Sequence, residues 1–378
     1  MSQKLLIINS VLGYSSTGRI VLDLARKYDQ NGFEVKIAYG RDMKVSSDLD
    51  EAFQKYGVRI GNNMDVYYHV LYSRLTDKHG LASKVATRKF LKWADEFNPD
   101  ILWLHNIHGY YINYEMLFEW IKTRPQMQVK WTLHDCWAFT GHCAFFTYAQ
   151  CEKWKSGCEN CPQLSMYPKS ERDNSKDNYN RKKSSFTGVQ NLSIVTPSNW
   201  LKDEVKKSFL SEYPVEVVYN NINTAIFRKT PGDFRKRYKL EDKKIILGVA
   251  NDWDKRKGLD TFVELSKKLE NIDKDYQIVL VGLSEKQIQE LAKDNIKILA
   301  LPRTASATEL AQIYSTADVF VNPTLEDNYP TVNLEAEACG TRVITYDTGG
   351  CRETIRMESS VVIPHGVDNI IKALQETH

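Results

Sequence analysis

Long apolar runs are missing from these 378 residues. The first apolar strand, from Leu5, is too short for a signal-peptide core, and no stretch reaches membrane-spanning length. A cytoplasmic location is therefore expected. A surplus of charge is missing too: 51 Lys and Arg against 48 Asp and Glu leave +3, which gives no electrostatic case for nucleic acid as a partner. Cysteine is sparse, with seven in the chain, so a disulfide scaffold is excluded. The three-glycine dinucleotide fingerprint is also absent, because Gly13 and Gly18 are spaced too widely for it.

What is present suits a soluble globular protein of about two domains: 42% hydrophobic and 26% charged residues. Short apolar runs alternate with longer amphipathic stretches, the pattern of parallel α/β sheets. Strands are expected at 5–9, 34–38, 101–105, 129–133 and 193–196, then again at 244–249, 277–281, 296–300, 318–321 and 342–345. The fold class is therefore α/β, two Rossmann-like doubly wound domains at 1–215 and 216–378, joined by a linker within 213–227. The last helix is a candidate to pack back on the first domain. The polar stretch 169–183 reads as a surface loop.

The most informative segment is 322–340, Asn-Pro-Thr-Leu-Glu-Asp-Asn-Tyr-Pro-Thr-Val-Asn-Leu-Glu-Ala-Glu-Ala-Cys-Gly. An apolar strand runs into a loop carrying Asp327, Asn328 and Tyr329, and then into a short helix carrying Glu335. Free N–H groups near Thr331 and Val332, at the positive end of that helix, favour a phosphate. The carboxylates would repel phosphate but accept hydrogen bonds from sugar hydroxyls. Together these describe a pocket for a sugar nucleotide; a plain strand–loop–helix is the alternative.

The segment resembles the donor-site signature of retaining glycosyltransferases of family 4, with the two-domain GT-B fold. That signature has two acidic residues eight positions apart, here Asp327 and Glu335. The family usually has Glu at the first position, and Glu326 stands beside Asp327. The resemblance implies that Glu335 takes the ribose hydroxyls and Asp327 the transferred sugar. It also implies that Gly18 lies in an N-terminal loop facing the donor across the interdomain cleft. Tight packing is the other reading of that glycine.

After strand 244–249 comes Asp252-Trp-Asp-Lys-Arg256-Lys257-Gly258. Cations there would oppose the charge growing on a departing diphosphate. Lys257 and Gly258 are similar to the family's Lys-Gly pair. The family's Arg lies five residues earlier, where this chain has Asp252, so Arg256 is the candidate replacement. Asp252 and Asp254 are expected to pair with these cations, so catalysis needs no metal cofactor. In the first half, His108 and His134 each follow a strand. The resemblance places one histidine near the reacting sugar, and His134 is favoured. His108 and Tyr110, with Tyr111 and Tyr114, are candidate acceptor contacts.

Cys143, Cys151, Cys158 and Cys161 end in a Cys-x-x-Cys bite and are either a structural zinc site or packed thiols. The insert resembles one in bacterial exopolysaccharide and capsule enzymes. The stretch 65–93 carries Arg74, Lys78, Lys84, Arg88, Lys89 and Lys92 among Tyr67, Tyr68, Tyr72, Leu75 and Phe90. It is either a solvated face or a peripheral contact with the inner face of the cell membrane. The function implied is transfer of a sugar from a nucleotide diphosphate donor, UDP-linked, to a glycan or lipid-linked acceptor in capsule or exopolysaccharide synthesis. The rivals are a nucleotide-sugar epimerase or hydrolase of this architecture and a non-catalytic scaffold.

Overall fold

The computed structural model describes residues 2–41, 49–272 and 275–376. They fall into two compact units, Met1–Val218 and Tyr219–His378. The first holds β1 (Lys4–Asn9), β2 (Glu34–Tyr39), β3 (Gly57–Arg59), β4 (Ile101–Leu104), β5 (Gln128–Thr132), β6 (Leu192–Thr196) and β7 (Val215–Val217). These pair in parallel in the order β3-β2-β1-β4-β5-β6-β7. The second holds β8 (Lys244–Val249), β9 (Tyr276–Val281), β10 (Ile298–Leu301), β11 (Val319–Asn322), β12 (Arg342–Tyr346) and β13 (Val361–Ile363). Its parallel order is β10-β9-β8-β11-β12-β13.

Each sheet winds outward from its first strand in both directions. Two loops therefore part at the carboxyl ends of β1 and β4, and two more at those of β8 and β11, where such sheets bind ligands. Helices cover both faces, so the central strands are apolar on both sides. Leu5, Leu6, Ile7 and Ile8 of β1 are all fully buried. Burying each such side chain contributes about 1.5–3 kcal/mol before chain entropy is counted.

All ten expected strands exist. Three more, β3, β7 and β13, are three residues long, too short to show a period. β7 lies inside the expected linker. The stretch read as a loop at 169–183 instead enters the helix Ser175–Phe186. Arg181 bridges Asp177 and Glu115 on its outer side, while Ser175, Asn178, Tyr179, Lys182 and Phe186 are buried. The helix Val367–Gln375 belongs to the second unit. Its Ile370 and Leu374 join Phe262 and Leu265 in the second unit's own core. No helix among the described residues is long and apolar enough to cross a membrane.

Candidate active site

In the second unit the loops after β8 and β11 are tied together. The Leu325 N–H donates to Arg256 O at 2.7 Å, and Arg256 Nη1 donates to Glu326 O at 2.8 Å. This clamp brings Lys257 Nζ to 2.5 Å from Asp327 Oδ2, with side chains 22% and 18% exposed. Burial alone would raise the Asp327 pKa, but Lys257, Arg256 and the Tyr329 N–H hold it below the usual carboxylate value. Of the two adjacent acids, Asp327 is thus the one that meets the lysine, and Glu326 is fully buried. Arg256 spends its guanidinium on the clamp, 15% exposed and 3.9 Å from Asp254.

Asp252 and Asp254 do not form a pair. Asp254 accepts from the Lys257 N–H at 2.8 Å, closing the turn, whereas exposed Asp252 lies 3.4 Å from Arg303. The expected pairing thus holds for Asp254, while Asp252 takes a partner from beyond β10.

The helix Thr331–Ala338 starts after Pro330 with no side-chain cap. Thr331 and Val332 are half-buried at its first turn, where free N–H groups and the dipole favour an anion. Asn333 is buried between Asn322 and Thr354, each at 2.9 Å, which anchors that turn. Asn328 and Tyr329 are buried, and the Tyr329 ring stacks on Tyr219 at 5.3 Å. Four residues along the helix, Glu335 receives the Tyr314 hydroxyl at 3.2 Å. Burial and the Glu335 charge push that phenol's pKa well up, so it stays a donor.

Sequence reasoning missed the third wall. The loop after β12 sets Gly349 and Gly350 beneath Asp327, where the Gly350 N–H donates to Asp327 O at 2.9 Å. Thr348 Oγ1 donates to Leu325 O at 2.9 Å. The Gly-Gly pair following an apolar run was the signal available.

In the first unit, His108 and His134 both stand at strand ends, as expected. His108 Nε2 is 2.9 Å from Asp135 Oδ2, and its Nδ1 is 2.9 Å from the Tyr167 hydroxyl. Burial would raise the Asp135 pKa, but His108 and the Trp137 N–H hold it down. His134 Nε2 lies 3.0 Å from His105 Nδ1, and burial brings the His134 pKa down to about 4, so it is neutral near pH 7. Tyr110 is half-buried beside His79, at 4.6 Å between rings. Tyr111 and Tyr114 are wholly buried and belong to the core, which removes them as acceptor contacts. Gly18 is buried, and a side chain there would press on Val11 at 3.1 Å and on the Gly13 N at 3.2 Å. Tyr167 and His79 carried no sequence signal, because distant segments bring them to His108.

The model described as Glycosyltransferase Family 4 matches residues 17–226, and that of Glycosyl transferases group 1 matches residues 232–377. A putative colanic acid biosynthesis glycosyl transferase of Escherichia coli, WcaC, is 25% identical over 68% of this chain and 62% of its own length. The chain thus spans less than two thirds of the length of the first curated relatives it matches. Among solved structures, sucrose-phosphate synthase of Thermosynechococcus elongatus superposes with a TM-score of 0.67 at 17% identity, over 99% of this chain and 89% of that one. HepE of Anabaena, solved with UDP and glucose, gives 0.63 at 13% identity, over 98% and 88%.

Proposed function

The chain belongs to glycosyltransferase family 4, in the two-unit GT-B fold, and from that premise we propose that it is a retaining enzyme using a UDP-linked sugar. The observation that carries this reading is the Lys257–Asp327 pair beside an uncapped helix start. The diphosphate lies on Lys257 and the N–H groups at Thr331 and Val332. Glu335, steadied by Tyr314, accepts from the ribose hydroxyls, and Asp327 from the sugar. The bond from the anomeric carbon to phosphate breaks as the acceptor oxygen bonds to that carbon on the same face. The acceptor's proton passes to the departing phosphate oxygen. His134, neutral, contacts the reacting sugar, and His108 with Tyr110 the acceptor. A glycan or lipid-linked acceptor in surface-polysaccharide synthesis fits the WcaC likeness.

The direct test is thermal stabilisation by a panel of nucleotide sugars, followed by anomeric analysis of the product. A ligand at a hundredfold its Kd adds about 2.7 kcal/mol. Free sugar or an epimerised donor formed without acceptor, and no transfer to any acceptor, would mean a hydrolase or an epimerase. Donor binding with no chemistry at all would mean a scaffold.

Turnover is expected to persist in a chelator during a short assay. Asp254 is committed to the Lys257 turn and Asp252 faces Arg303, so neither is poised for magnesium. Immediate loss, restored by magnesium or manganese, would contradict metal-independent chemistry.

The helix Asn63–Thr76 supports a membrane-surface acceptor. Met64, Tyr67, Tyr68, Leu71 and Leu75 follow one helical face, and all are exposed, Met64 by 75% and Tyr67 by 72%. Helix faces of this kind are normally buried. Arg74, Lys84, Arg88, Lys89 and Lys92 are exposed near it in sequence, and each cation near anionic lipid contributes about 1 kcal/mol. The protein should sediment with anionic liposomes at low salt and less at high salt, and Tyr67→Ser with Leu71→Ser should weaken this severalfold. Equal, negligible sedimentation with anionic and neutral vesicles would refute it.

A further inference from the structure

The insert between β5 and β6 gathers a set of soft donors that the proposed chemistry does not use. Cys143, Cys151, Cys158, Cys161 and His142 line one small pocket, and all four cysteines are free thiols. Among the described residues no three His, Cys, Asp or Glu side chains already stand in a metal-holding arrangement. The sulfurs instead lean on each other and on the backbone. The Cys143 thiol donates to Cys161, the Gly141 N–H donates to Cys158 Sγ at 3.1 Å, and the Gln163 N–H donates to Cys161. Backbone N–H groups aimed at sulfur, one of them two residues beyond the cysteine it serves, stabilise thiolate more than thiol.

Two buried groups beside the pocket lack the partners their chemistry demands. His142 is 2% exposed, and its Nδ1 pairs with buried Asp77, while its Nε2 has no hydrogen-bond partner. A histidine fixed by a carboxylate on one nitrogen, with the other left open, is the pattern seen around bound metals. Lys182 is 1% exposed; its Nζ donates to Trp137 O at 2.6 Å and Thr140 O at 2.9 Å and lies 3.6 Å from the Trp137 ring. No carboxylate among the described residues is in ion-pair reach of it. A buried ammonium without a counter-charge is costly. Neutral thiols supply none.

We propose that this pocket is a structural zinc site whose ligands are the sulfurs of Cys143, Cys151, Cys158 and Cys161. Each thiol loses its proton to solvent on binding. The Cys143–Cys161 hydrogen bond gives way to zinc–sulfur bonds of about 2.3 Å, within a pocket that all four cysteines already line. Four thiolates on a divalent ion leave a net charge of about −2. That is the counter-charge Lys182 lacks. Four sulfur ligands leave no open position, so the ion does no chemistry on substrate. It fixes the insert that runs from Asp135 to Tyr167, the two partners of His108.

The test is metal content of the full chain purified without added chelator, with cobalt substitution as a second measurement. Stoichiometric zinc is expected, and cobalt should give the intense absorption of a tetrahedral tetrathiolate. Cys158→Ser and Cys151→Ser should each lose zinc and open the insert to trypsin. Absence of zinc together with no cobalt spectrum in the unaltered protein would overturn the site, whatever the variants do. Full zinc in Cys151→Ser with loss in His142→Ala would overturn the four-sulfur assignment.

Discussion

Lys257→Ala is expected to lower kcat by roughly a hundredfold or more, about 2.7 kcal/mol of transition-state stabilisation. The lysine is held at the β8 turn by Asp254 and meets Asp327 at 2.5 Å. Charge on a departing diphosphate grows only as its bond to sugar breaks, so a fixed cation there acts mainly on the transition state. Donor affinity should change much less than turnover. The replacement also alters Asp327. Its folded pKa lies below its ordinary value, so its ionised form contributes stability above that ordinary pKa of 3.8, lost as pH falls through the lower folded value. Without Lys257, burial opposes only Arg256 and the Tyr329 N–H, and the Asp327 pKa rises. The acid limb of kcat/KM should therefore move toward neutral pH in the variant. Turnover near that of the unaltered protein, in a variant with an unchanged circular dichroism spectrum, would remove Lys257 from the site.

Much of this site was legible because its residues sit at strand ends, and strand ends can be read from apolar runs. Val319–Val321 and Ile245–Val249 are apolar runs, so the loops beyond them, with Asp327 and Lys257, read as lying at one edge of the sheet. How those residues meet was not legible. The sequence shows two cations at Arg256 and Lys257, and only the fold separates their tasks, one bonded to a carbonyl and one paired with a carboxylate. The same holds in the first unit. His108 reads as a strand-end histidine, but its partner Tyr167 lies 59 residues away on the insert. The misread stretch 169–183 failed for a local reason. The helix Ser175–Phe186 buries only a narrow stripe, so its composition looks like that of a loop.

Gly349→Ala is expected to reduce kcat about as severely as loss of the lysine, without touching a charged group. A Cβ at this position would fall 2.0 Å from Asp327 O and 3.0 Å from its carbonyl carbon, both backbone atoms. No rotamer relieves such a contact. Backbone φ is +53° there, and alanine in that region costs about 1–2 kcal/mol in any surroundings. The contact adds a second cost, met by moving Asp327 away from Gly350, whose N–H now holds its carbonyl at 2.9 Å. A displacement of about 1 Å in a reacting constellation costs on the order of a hundredfold. Gly340→Ala is the matched control. Gly340 also has positive φ, +86°, but a Cβ there meets only Lys229 Cδ, at 3.9 Å. It should lower the unfolding temperature by a few degrees while leaving kcat within about twofold, since backbone strain alone is worth about 1–2 kcal/mol. Equal kinetics for the two variants would mean that the loop after β12 does not set the position of Asp327.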